Sequence, residues 1–314
     1  VLRSLSQGVL SLVATLAAVS LAIFLVLDVL PGDPASVMLG TGARPDTLAA
    51  LRTELGLDQP ALWRYLGWVG GLLHGDLGRS VTYAMPVGPL IAERLAVTLP
   101  LAALALLLVV LIAVPLGVVA AARHDRGLDH AVTLFSQLGL AVPNFWLGLL
   151  FILAFATGLG WFPAGGFPGW AAGWPALKSL ILPAIALALP QAAVLARVVR
   201  ASTLEVLGAD FVRTARAKGV GERRALLRHV VPNALIPVAT IVGLQVSFLV
   251  AGAVLVENVF NLPGLGRLAF QALAQRDLVV IRNVVLLLAA LVIVVNAAVE
   301  IAYGLFDPRL RGRA

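Results

Sequence analysis

Six stretches of the chain run for seventeen or more residues without a charged side chain: 9–27, 95–122, 131–177, 179–196, 230–256 and 283–299. A bilayer core is crossed by about 20 mainly apolar helical residues. An Asp, Lys or Arg at the centre of such a helix costs about 2.5–3.5 kcal/mol on insertion. Six clean runs therefore predict an all-α, polytopic membrane protein with six transmembrane helices, the last extending to about Leu305. The composition, 60% hydrophobic and 12% charged, excludes a water-soluble domain, where about a quarter of residues are charged. It excludes a disordered chain for the same reason. The run at 131–177 is too long for one span. Gly158, Gly160, Pro163, Gly165 and Gly166 interrupt it, so a helix over about 131–158 should give way to a loop rich in Gly, Pro and Trp.

The first run ends at Asp28-Val29-Leu30-Pro31 and not at a small-x-small cleavage site, so it reads as a retained first helix and not a signal peptide. Six spans put both termini on one side of the membrane. Fourteen basic residues fall on that side, in the chain ends and the connectors after spans two and four, against nine on the other. Five of those nine lie in the long first loop, where charge counts least, so both termini are expected in the cytoplasm. The net charge of +7 is then a topology signal and not a nucleic-acid footprint; no nucleic-acid partner is expected. Pro100, Pro115, Pro143, Pro183 and Pro190 fall inside spans and predict kinks.

The reading divides the chain into an N-terminus and first span (1–30), an extracytoplasmic loop subdomain (31–94), a core of spans two to six (95–306) and a tail (307–314). Within the first loop, Leu30-Pro31-Gly32-Asp33-Pro34 is a turn-rich exit from the span. Asp46 can cap a short helix that runs to about Leu55 and stops at Gly56. Pro60 can start a second, with Leu62, Leu66, Val69 and Leu73 as its apolar stripe and Gly75 as its stop. The loop reads as a packed cap, and as a whole as a docking surface or gate for a substrate-delivering partner. Its turn set at Asp76 to Arg79, with Asp33 and with Glu257, Asn261 and Arg267 from the loop between spans five and six, supplies the candidate docking or gate residues.

The cytoplasmic stretch 200–232 carries the most information. Asp210 is a suitable N-cap for a helix from Phe211 to Lys218, and Gly219 a suitable residue to end it. Arg213 and Arg216 share one face, while Phe211, Val212 and Ala215 supply an apolar side. A second short helix can follow over 222–229, with Pro232 opening span five. The residues alone fit two readings equally: a basic hairpin on anionic lipid, or a helix that inserts into a soluble partner.

No catalytic chemistry is legible. The chain has no cysteine, which removes disulfides, thiolate metal sites and cysteine nucleophiles. His74, His124, His130 and His229 form no HExxH, and no GxSxG is present. A phosphate-binding loop needs Gly-Lys-Ser/Thr, but Lys178 and Lys218 follow Leu and Ala. Gly264-Leu265-Gly266 lacks the strand and the third glycine of a phosphate cradle. The spans lack mid-membrane charges, which argues against a secondary transporter, the rival of another class.

The hairpin residues also match a pattern. Permease subunits of ABC importers carry a cytoplasmic signature of the form EAA, three residues, Gly, nine residues, Ile, one residue, Leu-Pro. Arg213-Thr214-Ala215, Arg216-Ala217-Lys218, Gly219 and then His229 to Pro232 keep its spacing, with Arg for Glu, Thr for the first Ala, His for Ile and Val231 for Leu. The segment 210–219 resembles the dipeptide, oligopeptide and nickel importer branch. So do Gly75-Asp76-Leu77-Gly78, Val142-Pro143-Asn144-Phe145-Trp146, Asn233-Ala234-Leu235-Ile236-Pro237, Glu257 through Leu268 and Phe306-Asp307-Pro308-Arg309. The long first loop is similar to that of the first of the two permeases in such systems.

The resemblance implies the type I importer permease fold in a bacterial inner membrane. It implies a second homologous permease as heterodimer partner, two cytoplasmic ATPases and an external solute-binding protein. ATP and Mg would be bound by the ATPases, and no cofactor by this chain. Asp210, Phe211, Arg213, Thr214, Ala215, Arg216, Ala217, Lys218 and Gly219 would form the coupling helix seated in an ATPase groove. Peptides are the implied cargo, with a nickel chelate, glutathione or another small solute as alternatives. Polar groups inside the spans, Gln137, Asn144, Gln191, Gln245, Ser247 and Asn296, are the candidate pore lining, and each could equally be an interhelical hydrogen bond.

Overall fold

The computed structural model describes residues 2–29, 34–39, 44–54, 56–80 and 82–306. Leu30 to Asp33 of the expected first turn, Leu55 and the tail 307–314 lie outside the described residues. In chain order the helices are α1 (Leu2–Val29), α2 (Pro34–Leu39), α3 (Pro45–Glu54), α4 (Ala61–Leu73), α5 (Val87–Ala122), α6 (Gly127–Ala141), α7 (Asn144–Phe151), α8 (Trp174–Leu207), α9 (Asp210–Ala217), α10 (Glu222–Ala225), α11 (Val231–Val259), α12 (Leu265–Ala274) and α13 (Leu278–Phe306). Among the described residues there is no strand, only one isolated bridge between Arg79 and Pro86. Five helices are long and apolar enough to cross a membrane, and six if the bent pair α6 and α7 counts as one span.

That pair corrects the expected single helix over 131–158. The chain turns by 102° between α6 and α7. Val142 is extended (φ −99°, ψ 120°) because the ring of Pro143 clashes with a helical residue before it. By contrast Pro100 and Pro115 lie within α5, and Pro183 and Pro190 within α8, without ending either helix. After α7 the helix widens to a π-helical segment, Ile152–Gly158, before the expected Gly/Pro/Trp loop.

The chain folds as two compact units. The first comprises residues 1–98 and 263–294. Its core joins Val87, Leu90 and Ile91 of α5 to Leu265 and Leu268 of α12 and Val280 of α13. Two of its buried polar side chains are well satisfied: Asp277 accepts hydrogen bonds from Ser80 Oγ (2.5 Å), Thr82 N (3.2 Å) and Val280 N (3.1 Å). Asn283 accepts from Trp68 Nε1 (3.1 Å) and donates to the Leu77 carbonyl (2.8 Å). α4 begins after Pro60 and ends before Gly75 (φ +77°), as expected, but its buried face differs. Leu62, Leu66 and Leu73 are exposed, and Trp68 is buried instead. The large rings of Tyr65 and Trp68 pack on Phe24 and find polar partners in Ser20 and Asn283, which an aliphatic stripe could not do. In α3, Asp46 lies in the first turn and is not the cap; Pro45, with φ pre-set and no N–H to leave unpaired, occupies the start.

The second unit comprises residues 99–262 and 295–314. α8 is its axis, packed by α6, α7 and α11. Small residues allow the close approach. A Cβ on Gly139 of α6 would collide with the Ala193 Cβ of α8, and one on Gly252 of α11 would lie 2.5 Å from Asn144 Nδ2 of α7. The separate helix expected over 222–229 is instead continuous with α11: α10 passes through a π-helical turn, Leu226–Val230, into Val231. Pro232 lies just past that π-helical turn, inside the continuous helix, at a place where an irregular ladder accommodates a missing N–H.

Candidate functional site

The basic hairpin links α8 to α11. Its helix α9 spans Asp210–Ala217, with Ala209 as an extended N-cap (ψ 147°) that makes no side-chain capping bond. Asp210 is thus the first helical residue and not the cap. Its carboxylate still favours the positive end of the helix, and lies 3.5 Å from Arg213 Nη1. The C-terminal end is closed by backbone geometry. Gly219 adopts φ +87°, the Gly219 N–H bonds the Arg216 carbonyl at 2.9 Å, and the Val220 N–H reaches back to the Ala215 carbonyl at 3.2 Å. This reciprocal pair needs a left-handed residue, which glycine supplies without strain.

The two arginines expected to act together differ in situation. Arg216 donates to Glu222 at 2.8 Å and clasps the turn onto α10, whereas Arg213 is largely exposed. The expected apolar side also splits. Val212 is fully buried and anchors the helix, while Phe211 is 48% exposed. Phe211, Thr214 and Lys218 recur at three and four, so they share a face, and all three are exposed. A short helix, closed at its C-terminal end, pinned from below and presenting an aromatic ring to its surroundings, is suited to fill a pocket on another molecule.

A network outside the expected set fixes the helices beneath the hairpin. Asp129, in the first turn of α6, is 1% exposed. Arg200 of α8 grips it with two hydrogen bonds, Nε to Oδ1 and Nη2 to Oδ2, the latter 2.8 Å long. Asp129 Oδ2 also lies 2.9 Å from His124 Nδ1 and accepts the Asp125 N–H at 3.0 Å. His124, Asp125 and Asp129 have the spacing of metal ligands, but the guanidinium lies across both oxygens of the central carboxylate. The arrangement is that of a bidentate ion pair. In the sequence His124 is one of four histidines without a ligand motif, and Arg200 opens the basic stretch 200–232. The available signal was an aspartate at the start of an apolar helix, which demands a partner. Ser202 Oγ, two residues on, donates to the Ala234 carbonyl of α11 at 2.8 Å.

Of the candidate pore groups, two pairs come together. Gln245 Nε2 donates to the Gln191 carbonyl at 2.9 Å, and Ser247 Oγ donates to Asn296 Oδ1 at 3.1 Å. Gln245 Oε1 is buried without a hydrogen-bond partner among the described residues. Gln137 is exposed, and Asn144 lies against Gly252. The candidate docking residues differ in situation. Asp76 accepts the Gly78 N–H at 2.8 Å and Arg79 donates to the Ala84 carbonyl at 3.0 Å, so both serve their own turn. Glu257 is fully buried and offers nothing to a visiting partner. Asn261 is exposed, Arg267 half-buried, and Asp33 lies outside the described residues.

Comparison with known proteins agrees over the length of the chain. Residues 113–312 match the family model of the binding-protein-dependent transport system inner membrane component, and residues 1–102 match that of the N-terminal part of such membrane components. A protein of Brucella abortus (strain 2308) named as a peptide transport system permease is 45% identical over 296 residues, 93% of this chain and 94% of that one. The glutathione transport system permease protein GsiC of Escherichia coli O6:H1 (strain CFT073) is 38% identical over 305 residues, 97% of each chain. Among solved structures, the MetNI methionine ABC transporter in inward-facing form aligns with a TM-score of 0.55 at 19% identity, over 68% of this chain and 94% of that chain, a likeness of fold. Six apolar spans, a basic hairpin between the fourth and fifth, and family matches that together cover nearly the whole chain lead to one conclusion: this protein belongs to the inner membrane components of binding-protein-dependent transport systems.

Proposed function

We propose that the chain forms half of the translocation pathway of an ATP-driven peptide importer, paired with a second, homologous permease. The family is a membrane component without an ATPase site of its own. Hydrolysis falls to two partner ATPases that bind ATP and Mg, and delivery to an external solute-binding protein. Both termini and the basic hairpin face the cytoplasm in this reading, where the excess of Lys and Arg belongs. The Brucella relative supports peptides as cargo. The glutathione permease, itself named for a tripeptide, keeps small peptides and their conjugates in the same class.

The single observation that carries the coupling role is the division of labour in α9, with Val212 buried and Phe211 exposed on adjacent residues. Closure of the ATPases on nucleotide would move α9 as a rigid lever. The attached ends of α8 and α11 would move with it, switching the pathway between inward-open and outward-open states. Packed helices suit this because their interfaces are bistable. Nucleotide must favour one state over the other for the switch to occur.

Phe211→Asp tests this without touching the hairpin's own contacts. Thermal stability of the purified permease should change by no more than about 0.5 kcal/mol, as for an exposed site. Peptide uptake and peptide-stimulated ATP hydrolysis by the assembled transporter should fall roughly tenfold or more, the scale of losing an aromatic anchor. Normal coupled uptake by this variant would remove α9 from the ATPase interface. Arg216→Glu is a poorer probe, since it sets a second carboxylate against Glu222.

A further inference from the structure

The first unit contains a cavity of about 260 Å³ at the end of α1, walled by α4 and the start of α13. We propose that it binds the phosphodiester of an anionic membrane lipid. This rests on the membrane-spanning fold and not on the transport mechanism.

Phe24, Arg64 and Arg282 line the cavity, and Trp68, outside the lining, packs on Phe24. Phe24 and Trp68 stack with ring centroids 6.5 Å apart. The guanidinium of Arg64 lies 5.8 Å above Phe24, and that of Arg282 lies 5.3 Å above Trp68. Each ring holds a cation over its negative face, so two like charges line one small space. Arg64 is paired with Asp28 at 2.5 Å. Asp277, the other carboxylate on the wall, is held by Ser80 and by two backbone N–H groups. The Nε atoms of both Arg64 and Arg282 are buried without a hydrogen-bond partner among the described residues. Both guanidiniums line the cavity, and an anion there would offset their mutual repulsion.

The lining also specifies the kind of anion. Three arginines, Arg64, Arg276 and Arg282, line it with two aspartates, Asp28 and Asp277, so the lining carries more cations than carboxylates and favours an anion. The remaining wall is mainly apolar, with Leu27, Leu57, Trp63, Leu278 and Val279. A free inorganic anion gains nothing from such a wall, whereas the glycerol and first methylenes of a lipid do. Trp63, at 64% exposure, leads outward along α4 to Leu62 and Leu66, which are also exposed. An amphipathic ring beside exposed leucines at the ends of spanning helices is the composition of the bilayer interface.

The test uses the assembled transporter in nanodiscs of phosphatidylcholine mixed with phosphatidylglycerol. Either lipid is brominated in turn to quench nearby tryptophan, and the Trp63 signal is the difference between the parent protein and Trp63→Phe. Brominated phosphatidylglycerol should quench Trp63 at a lower mole fraction than brominated phosphatidylcholine. Arg282→Gln should remove that preference, weakening it roughly tenfold, the scale of one charge-assisted hydrogen bond, while Arg282→Lys should retain most of it. Equal quenching by the two lipids in the parent protein would reduce the cavity to an apolar contact and overturn the proposal. So would an unchanged preference in Arg282→Gln, or loss of the preference on adding millimolar inorganic phosphate, which would mark a site for a soluble anion. Absence of quenching by either lipid, as when a partner subunit covers α4, also overturns it. Should Arg282→Gln fail to assemble, the comparison of lipids on the parent protein still decides. None of these outcomes bears on peptide uptake, so failure here is separable from failure of the transport reading.

Discussion

α1 and α8 are both apolar enough to cross a membrane, and α1 is the more apolar of the two, yet 11% of its most apolar window is buried in protein against 67% for α8. Part of the difference lies in how the small residues are used, since Ala14, Ala17, Ala18 and Ala22 of α1 are exposed. Seven of the eight alanines in α8 are buried, and they let α6, α7 and α11 approach closely. α1 turns Leu10, Val13, Leu25 and Val26 outward, bulky residues that suit lipid tails. Lipid is as apolar as leucine, so helices associate in a membrane through close packing and polar links and not through hydrophobicity itself. Apolarity identifies a span, and a dense run of small residues such as that of α8 allows other spans to surround it.

The contrast can be broken most sharply at the polar end of α8. Asp129→Ala would leave Arg200 without its partner in a partly buried position, at a cost of about 1.5–3 kcal/mol, the scale of a hydrogen bond between charged groups. The purified permease should melt well below the parent, and the double replacement Asp129→Leu with Arg200→Met should recover most of the loss. A neutral single variant would mean that α6 and α8 are held by packing alone. Next, Ala193→Leu forces a branched side chain against Gly139 and should cost about 1–3 kcal/mol, again by thermal unfolding in detergent. If it is tolerated, the buried alanines of α8 are incidental. Gly219→Ala places a Cβ on a left-handed residue and should cost about 1 kcal/mol. The effect should be confined to faster hydrogen exchange at Gly219 and Val220, since those amides close α9. The smallest effect is expected on α1, where Leu25→Ala should change stability by no more than about 0.5 kcal/mol. A loss as large as that of Ala193→Leu would show that α1 is covered by protein after all.

Local chemistry made much of the hairpin legible. The C-terminal end of α9 follows from Gly219, because helix ends are set by residues within one turn of them, whereas the start falls one residue before the one an Asp210 cap would give. Which of the adjacent residues Phe211 and Val212 is buried is not local information; it depends on what lies beneath α9. The pairing of Asp129 with Arg200 spans 71 positions, so a reading confined to each turn sees a solvated aspartate and a basic cluster. The break at Pro143 was visible as a proline in a span, as were Pro100, Pro115, Pro183 and Pro190. Only one of the five ends a helix, because neighbouring helices can re-satisfy the backbone groups that a proline frees. In α4, periodicity pointed to the leucines, and the polar handles of Tyr65 and Trp68 reversed the choice.

The chain's own residues determined that it is helical, that it has five spans or six with the bent pair, and where the hairpin helix stops. These follow from hydropathy and from steric limits that act between near neighbours. The tertiary structure decided which span is surrounded, which charges meet, and which faces of α4 and α9 remain open. Those outcomes depend on contacts between residues far apart in the chain, and on the size and polarity of whatever a side chain meets there.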